Sequence, residues 1–168
     1  MSLSDPHPGR RKALGLLALA PALAACGFTP VYAPGSTAST LRGRVEVAPP
    51  ETASAYLLVE ELEDRLGRAA TPAYRLGFVL RTDQQGQAIT ASSEITRYSI
   101  VGRVAYELRP IGSDNVLASG KVRNFTGYSA TGSTVETLAA ERDATARLMS
   151  ILADQIAAQL YATADLGT

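Results

Sequence analysis

The 168-residue sequence has one cysteine, one histidine and no tryptophan. These absences narrow its chemistry before any motif is read. A lone cysteine, Cys26, has no partner for an internal disulfide. The only histidine, His7, lies in a segment that reads as a removable leader, so a Ser-His-Asp or Cys-His centre has no base. No apolar run is long enough to cross a bilayer. The best, Ala13 to Ala22, contains Pro21 and falls short of the roughly 20 residues a spanning helix needs. Neither charge sign dominates, with 16 basic and 16 acidic residues, so net charge carries no nucleic-acid footprint. No phosphate-cradling glycine loop is present. The acidic run Glu60, Glu61, Glu63 and Asp64 lies around a helix and reads as a solvated face, not as a metal site. Carboxylate pairs alone serve glycosidases, but nothing marks one pair out. Asn124-Phe125-Thr126 matches a glycosylation sequon by chance. The expectation is no catalytic residue, no metal and no cofactor beyond a covalent lipid.

What is present begins with the leader. Arg10, Arg11 and Lys12 form a basic segment, Ala13 to Ala22 is apolar, and Leu23-Ala24-Ala25-Cys26 closes it. This is signal-peptide grammar: charge, apolar core, small residues at the cut. The closing residues resemble the bacterial lipobox. Cleavage before Cys26 would expose a thiol at the new N-terminus for diacylglycerol, with palmitate-type chains completing a membrane anchor. One acyl chain binds a membrane marginally and two hold it firmly. Gly27, rather than Asp, after the cysteine favours the outer membrane, with the lipid in its periplasmic leaflet. The Arg10-Arg11 pair fits twin-arginine export poorly, which favours general secretion.

The domains expected are a removed signal peptide over 1–25, a lipidated tether over 26–40, a single α/β domain over 41–161 and a tail over 162–168. The mature chain holds 143 residues, 13 of them basic and 15 acidic, enough for one core. Pro30, Pro34 and Gly35 make Gly27 to Thr40 read as extended. Arg42 to Val47 alternates as a first strand, stopped by Pro49-Pro50. Ser54 to Leu66 is a helix with Ala55, Leu58, Val59, Leu62 and Leu66 at helical spacing and Gly67 as its C-cap. Tyr74, Leu76, Phe78 and Leu80 alternate in a strand that a turn at Asp83-Gln84-Gln85-Gly86 should end. A polar stretch of ambiguous structure follows. Tyr98, Ile100, Val104, Tyr106 and Leu108 alternate in the next strand. Pro110 to Asn115 is a hairpin loop, and Val116 to Tyr128 is the last strand, with Gly120 and Gly127 as bulges or close approaches. A long helix over Val135 to Tyr161 opens with a capping box at Ser133 and Glu136. Its stripe is Ala144, Leu148, Ile151, Leu152, Ile156 and Leu160. The order β-α-β-β-β-α predicts an α+β two-layer sandwich, one mostly antiparallel sheet of about four strands under two helices. The other sheet face is left to water or to a partner.

Charge is sorted between these layers. From Arg75 to Arg123, seven basic residues (Arg75, Arg81, Arg97, Arg103, Arg109, Lys121, Arg123) face four acids, Asp83, Glu94, Glu107 and Asp114. In each helical segment two arginines face five acids. Strand faces in water often carry arginine and need no ligand. The functional reading is that Arg75, Arg81, Arg103, Lys121 and Arg123 meet phosphates or carboxylates, which the planar arginine fork grips through two hydrogen bonds.

The segment Cys26-Gly27-Phe28-Thr29-Pro30-Val31-Tyr32, the helix, the three long strands and the Ala/Leu-rich C-terminal helix together resemble the LptE family in its alphaproteobacterial form. Ser119 to Thr126 and Glu141-Arg142-Asp143-Ala144 add to the likeness, which spans the mature chain. The resemblance implies an outer-membrane lipoprotein that partners the LptD barrel as plug and assembly factor and binds lipopolysaccharide. It supplies no catalytic or ligand signature residue by residue. The alternative is an auxiliary lipoprotein of a lipid-transporting ABC system, which shares the leader and the α/β plan. A carboxylate-based envelope enzyme is a third class.

Overall fold

The computed structural model describes residues 33–89 and 95–166. The leader and Cys26 lie outside the described residues, as does Glu94. In chain order the elements are α1 (Thr37–Leu41), β1 (Val45–Val47), α2 (Ala53–Leu66), β2 (Tyr74–Ile89), β3 (Ile95–Pro110), β4 (Ala118–Ser129) and α3 (Thr134–Thr163). The expected α+β order is present, with a short helix added in front. The sheet runs β1-β2-β3-β4, β1 parallel to β2 and the remaining pairs antiparallel. Both long helices lie over the face formed by Leu76, Val104, Tyr106, Leu108 and Val122, all buried.

Helix α3 dominates the core. Ala144, Leu148, Leu152, Ile156 and Leu160 are fully buried, and Met149 and Ala153 join them. Ile151 is only half-buried, because it sits at the margin of the stripe. Burying one such leucine contributes about 1.5–3 kcal/mol relative to exposure, so this stripe is the largest apolar investment in the domain. Its approach to the sheet depends on two glycines. A Cβ on Gly102 would lie 2.7 Å from Leu152 Cδ1 and 3.2 Å from Leu148 Cδ2. A Cβ on Gly120 would lie 2.5 Å from the Tyr106 hydroxyl, which donates to Gln159 Oε1 at 2.7 Å. The close-approach reading of Gly120 therefore holds.

Helix ends follow the sequence signals. Ser133 and Glu136 form the capping box at α3, and the Ser133 backbone N–H, donating to the Glu136 carboxylate, holds that group below the usual carboxylate range. Thr52 caps α2, accepting from Ala55 N–H at 3.1 Å. Gly67 closes α2 at φ 78°, a left-handed value that favours glycine. Arg65 then ties α2 to α3: its guanidinium reaches Asp154 at 2.5 Å and the Ser150 hydroxyl at 2.9 Å, while Tyr161 donates to its carbonyl at 3.1 Å.

Four boundaries differ from expectation. The tether reading to Thr40 fails at its end, since Thr37–Leu41 is helical, capped by Ser36, with Ala38 and Leu41 buried. One turn is too short for periodicity to reveal. β1 covers only Val45–Val47, because Gly43 takes a positive φ of 70° and its N–H bonds the Leu66 carbonyl at 2.7 Å. The tail from 162 starts inside α3, and Asp165 N–H donates to the Leu117 carbonyl at 3.1 Å. The turn expected at Asp83-Gln84-Gln85-Gly86 is strand: these residues pair with Val101, Ile100, Ser99 and Tyr98, and pairing continues to Ile89 opposite Ile95. Residues 81–87 are exposed on both faces, so no apolar alternation announced a strand, and cross-strand pairing overrode the local turn preference.

The helix–sheet contact predicts coupled mutants. Leu152→Ala should cost about 2–5 kcal/mol, and Gly102→Val about 1–3 kcal/mol through overpacking. The double variant should lose less than the sum, since the valine fills space the leucine vacates. Additive losses in urea unfolding would mean that the two residues do not meet. Acidification should separately fray the start of α3. The lowered Glu136 pKa means its contribution is present at neutral pH and lost as pH falls through that lowered value. Amide exchange across residues 134–138 should rise there, and Glu136→Gln should remove the pH dependence.

Candidate functional site: the open sheet face

The uncovered face carries the odd-numbered residues of β2, β3 and β4 together with Glu46 of β1. Register sets them in cross-strand rows. Glu46, Arg75 and Arg109 form the first row. Gly77, Glu107 and Ser119 follow, then Val79, Ala105 and Lys121. Arg81, Arg103 and Arg123 form the next row, and Asp83, Val101 and Phe125 the one after it. Three arginines therefore lie abreast, with neighbouring strands roughly 4.8 Å apart.

Like charges directly opposite one another destabilise a sheet, so their partners matter. Arg103 pairs with Asp83 in the adjacent row. Arg75 is bonded to Glu46 at 3.1 Å. Arg109 is bonded to Glu107 at 2.7 Å and to the Asp114 carbonyl at 3.1 Å. Among the described residues, Arg81, Arg97, Lys121 and Arg123 have no carboxylate within ion-pair distance. The five residues singled out from sequence thus divide. Arg81, Arg103, Arg123 and adjacent Lys121 form one cluster, while Arg75 lies at the far end of the face and is neutralised. Arg97 sits opposite Ser129, beyond the cluster.

A groove of about 960 Å³ opens on the same face. The backbone of Gly77 and Gly120 and the small side chains of Ala105 and Ser119 line it, with the Ile111–Asp114 loop at one end. Val79, 60% exposed, and Lys121 lie on the side toward the arginine row. Phe125, 67% exposed, stands one row past the arginines. A shallow groove with apolar spots and a cationic margin suits an amphiphile or an acidic protein surface. Sequence reasoning missed the groove and the apolar pair. Their signal was present in Val79 and Phe125, two large exposed apolar residues on a mostly polar parity that also carries the buried Val101.

Among the described residues, no group of three or more His, Cys, Asp or Glu side chains is placed to share a metal ion, and no helix is long and apolar enough to cross a membrane. The fold defines a small two-layer α+β domain with one sheet face left open by the helices. The chain belongs to the LptE family: that family's model, described as Lipopolysaccharide-assembly, matches residues 43–160, which include the whole sheet, α2 and most of α3. Solved structures agree at the level of fold. A protein of Caulobacter crescentus CB15 described as a lipoprotein is 20% identical, with 75% of this chain and 93% of that chain covered and a TM-score of 0.64. The rare lipoprotein B of Shewanella oneidensis is 11% identical over 71% of this chain and 93% of that one, with a TM-score of 0.55. Lipoprotein B of Nitrosomonas europaea is 17% identical over 81% and 91%, also at 0.55. No curated protein matches the sequence.

The arginine row makes a stability prediction opposite in sign to the usual one. Arg123→Gln should leave the melting temperature unchanged or raise it at low salt. The difference should shrink as salt screens the row and be nearly gone near about 1 M, where the Debye length falls to about 3 Å. A clear loss of stability at every salt concentration would mean that Arg123 has a structural partner.

Proposed function

We propose that this protein is an outer-membrane lipoprotein, held in the periplasmic leaflet by lipid on Cys26, that partners the LptD β-barrel in the assembly and surface export of lipopolysaccharide. In this reading it acts as plug, assembly factor and lipopolysaccharide binder, not as an enzyme, and carries no cofactor beyond its lipid. The observation that carries the reading is the family match across the whole sheet and its helices. The open face supports it in kind. The lumen of a large outer-membrane barrel is polar and is plugged in some barrels by folded protein. Lipopolysaccharide presents phosphates and acidic sugars beside acyl chains. Arg81, Arg103, Lys121 and Arg123 suit the first, and Val79 and Phe125 suit the second.

Three measurements test this. Affinity purification of the tagged protein from detergent-solubilised envelopes should yield LptD at one-to-one stoichiometry, and depletion should lower both assembled LptD and surface lipopolysaccharide. Recovery of an inner-membrane ABC complex instead would overturn the reading. Cys26→Ser should shift the protein from the membrane to the soluble periplasmic fraction, since no second thiol can accept the lipid; retention in the detergent phase would refute the anchor. The triple variant Arg103→Glu, Lys121→Glu, Arg123→Glu should weaken lipopolysaccharide binding by about tenfold or more, at about 1.5–3 kcal/mol per charged hydrogen bond, with the fold intact. The deficit should shrink in high salt. Parental binding at low salt would leave this face as solvated surface.

A further inference from the structure

The outer edge of β4 carries a second feature of the same chain. In the β3–β4 pair, Ala130 N–H donates to the Thr96 carbonyl at 2.9 Å. With the register of Arg97 opposite Ser129 and Tyr98 opposite Tyr128, this makes the even-numbered residues of β4 the ones that exchange bonds with β3. The N–H and C=O groups of Ser119, Lys121, Arg123, Phe125 and Gly127 therefore point away from the sheet. Leu117, at the start of the edge, departs from this alternation: its N–H donates inward to the Leu108 carbonyl at 2.9 Å, and its carbonyl accepts from Asp165 N–H at 3.1 Å. Beyond that point, among the described residues, no backbone bond reaches the outward groups of Ser119 to Gly127, and the side-chain bond to them is local, Phe125 N–H to Asn124 Oδ1 at 2.8 Å. A 12-residue strand thus ends the sheet with its edge open over most of its length. Helix α3 packs on its buried face and leaves this edge uncovered along Ser119 to Gly127, whose residues are exposed at every odd position.

An open edge of this length is a template for another strand. Charge decides which strand. The side chains that flank the open groups on the solvent face are Lys121 and Arg123, neither with a carboxylate partner among the described residues, and Arg103 and Arg81 continue the row inward. A second copy pairing antiparallel about Arg123 would place that arginine opposite itself, and pairing about Val122 would bring Lys121 beside Arg123. Like charges at that spacing oppose pairing. A strand with carboxylates on alternate residues meets the opposite situation, each carboxylate lying beside a cation while the backbone completes the ladder.

We propose that the β4 edge is a strand-addition site for an extended segment of another protein that carries acidic residues in alternation. This site is distinct from the face: it is read through main-chain bonds of Ser119 to Gly127, and it stands whether or not the face binds lipopolysaccharide.

The test uses the purified protein and a capped peptide of about eight residues, a usual strand length, with alternating Asp and Val. Binding should slow amide exchange at Lys121, Arg123 and Gly127, the outward donors, while Val122 and Asn124 stay as protected as before. The same peptide methylated on alternate backbone nitrogens keeps every charge and should bind at least about tenfold more weakly, which is about 1.4 kcal/mol. Ser119→Pro removes one outward donor without changing charge, at a position where proline leaves the β3 ladder intact, and should weaken the unmodified peptide at an unchanged melting temperature. Lys121→Glu with Arg123→Glu should reverse the preference to an alternating Lys and Val peptide. Equal binding of the methylated peptide would reduce the edge to a charged surface and overturn the proposal. So would unaltered exchange at the outward amides in saturating peptide. Dimerisation of the protein through β4, detected as concentration-dependent protection of the same amides without peptide, would make a second copy the occupant and overturn it equally.

Discussion

The contact on which the rest of the structure depends is the seating of α3 on β3 and β4 over Gly102 and Gly120. Leu148 and Leu152 occupy the space a side chain at Gly102 would fill, and the Tyr106 hydroxyl and Gln159 occupy the space above Gly120. Interiors pack at crystal-like density, so a helix held this close buries its whole stripe and binds α2 through Arg65 at the same time. Most of the buried apolar side chains are drawn to one face, Val101 on the other being buried among its neighbours in the central strand. The opposite face has no layer to cover it, and its composition is free to answer to something other than stability.

That freedom is visible in the rows. Arg81, Arg103 and Arg123 abreast oppose the sheet's own stability, and among the described residues only Arg103 has a carboxylate beside it. A sheet of two strands would not hold such a row, because an isolated hairpin is marginal in water. Here the even-numbered positions of β3 and β4 are locked under α3, and a one-residue slip would turn Leu108, Val104 and Val122 into solvent. Register is thus fixed from the helix side, and the arginines are carried into line by residues they never touch. The separation of labour has a limit at Leu80. Past it, β2 is exposed on both faces and the pairing shifts between Gly86 and Ile89, where no helix pins it.

Much of this was legible in the sequence, and the failures have a common cause. The elements with a buried face (α2, α3, the first half of β2, β3 and β4) announced themselves by period, and the capping box at Ser133 and Glu136 by its spacing. The parity of Arg75, Arg81, Arg103, Lys121 and Arg123 was equally plain. Their row was not. A turn at Asp83–Gly86 would have set Arg81 opposite Ala88, whereas it pairs with Arg103. Asp, Gln and Gly in succession carry turn chemistry, and a strand segment exposed on both faces has no alternation with which to contradict them. Helix α1 was hidden for the complementary reason: two buried residues, Ala38 and Leu41, are too few to form a period. Sequence pattern reports burial, so elements that bury little, and registers set by such elements, stay unread.

The two edges of the sheet complete the argument. Beside β2, the strand β1 stops after Val47, and Pro49-Pro50 follow, residues that cannot extend a ladder. Beside β4, among the described residues, no proline, bulge or covering element intervenes between Ser119 and Gly127, and the guards there are charge and the Asn124 side chain on Phe125 N–H. Proline refuses every strand. Charge refuses selectively, turning away a copy of itself and admitting its complement. A chain that only needed protection from aggregation could use either device. The use of lysine and arginine at the long edge, in line with the arginine row of the open face, joins edge and face into one continuous cationic surface. A partner that lays an acidic strand along β4 would therefore also bring carboxylates to the margin of the groove. The same helix-side packing that fixes register positions both halves of that surface.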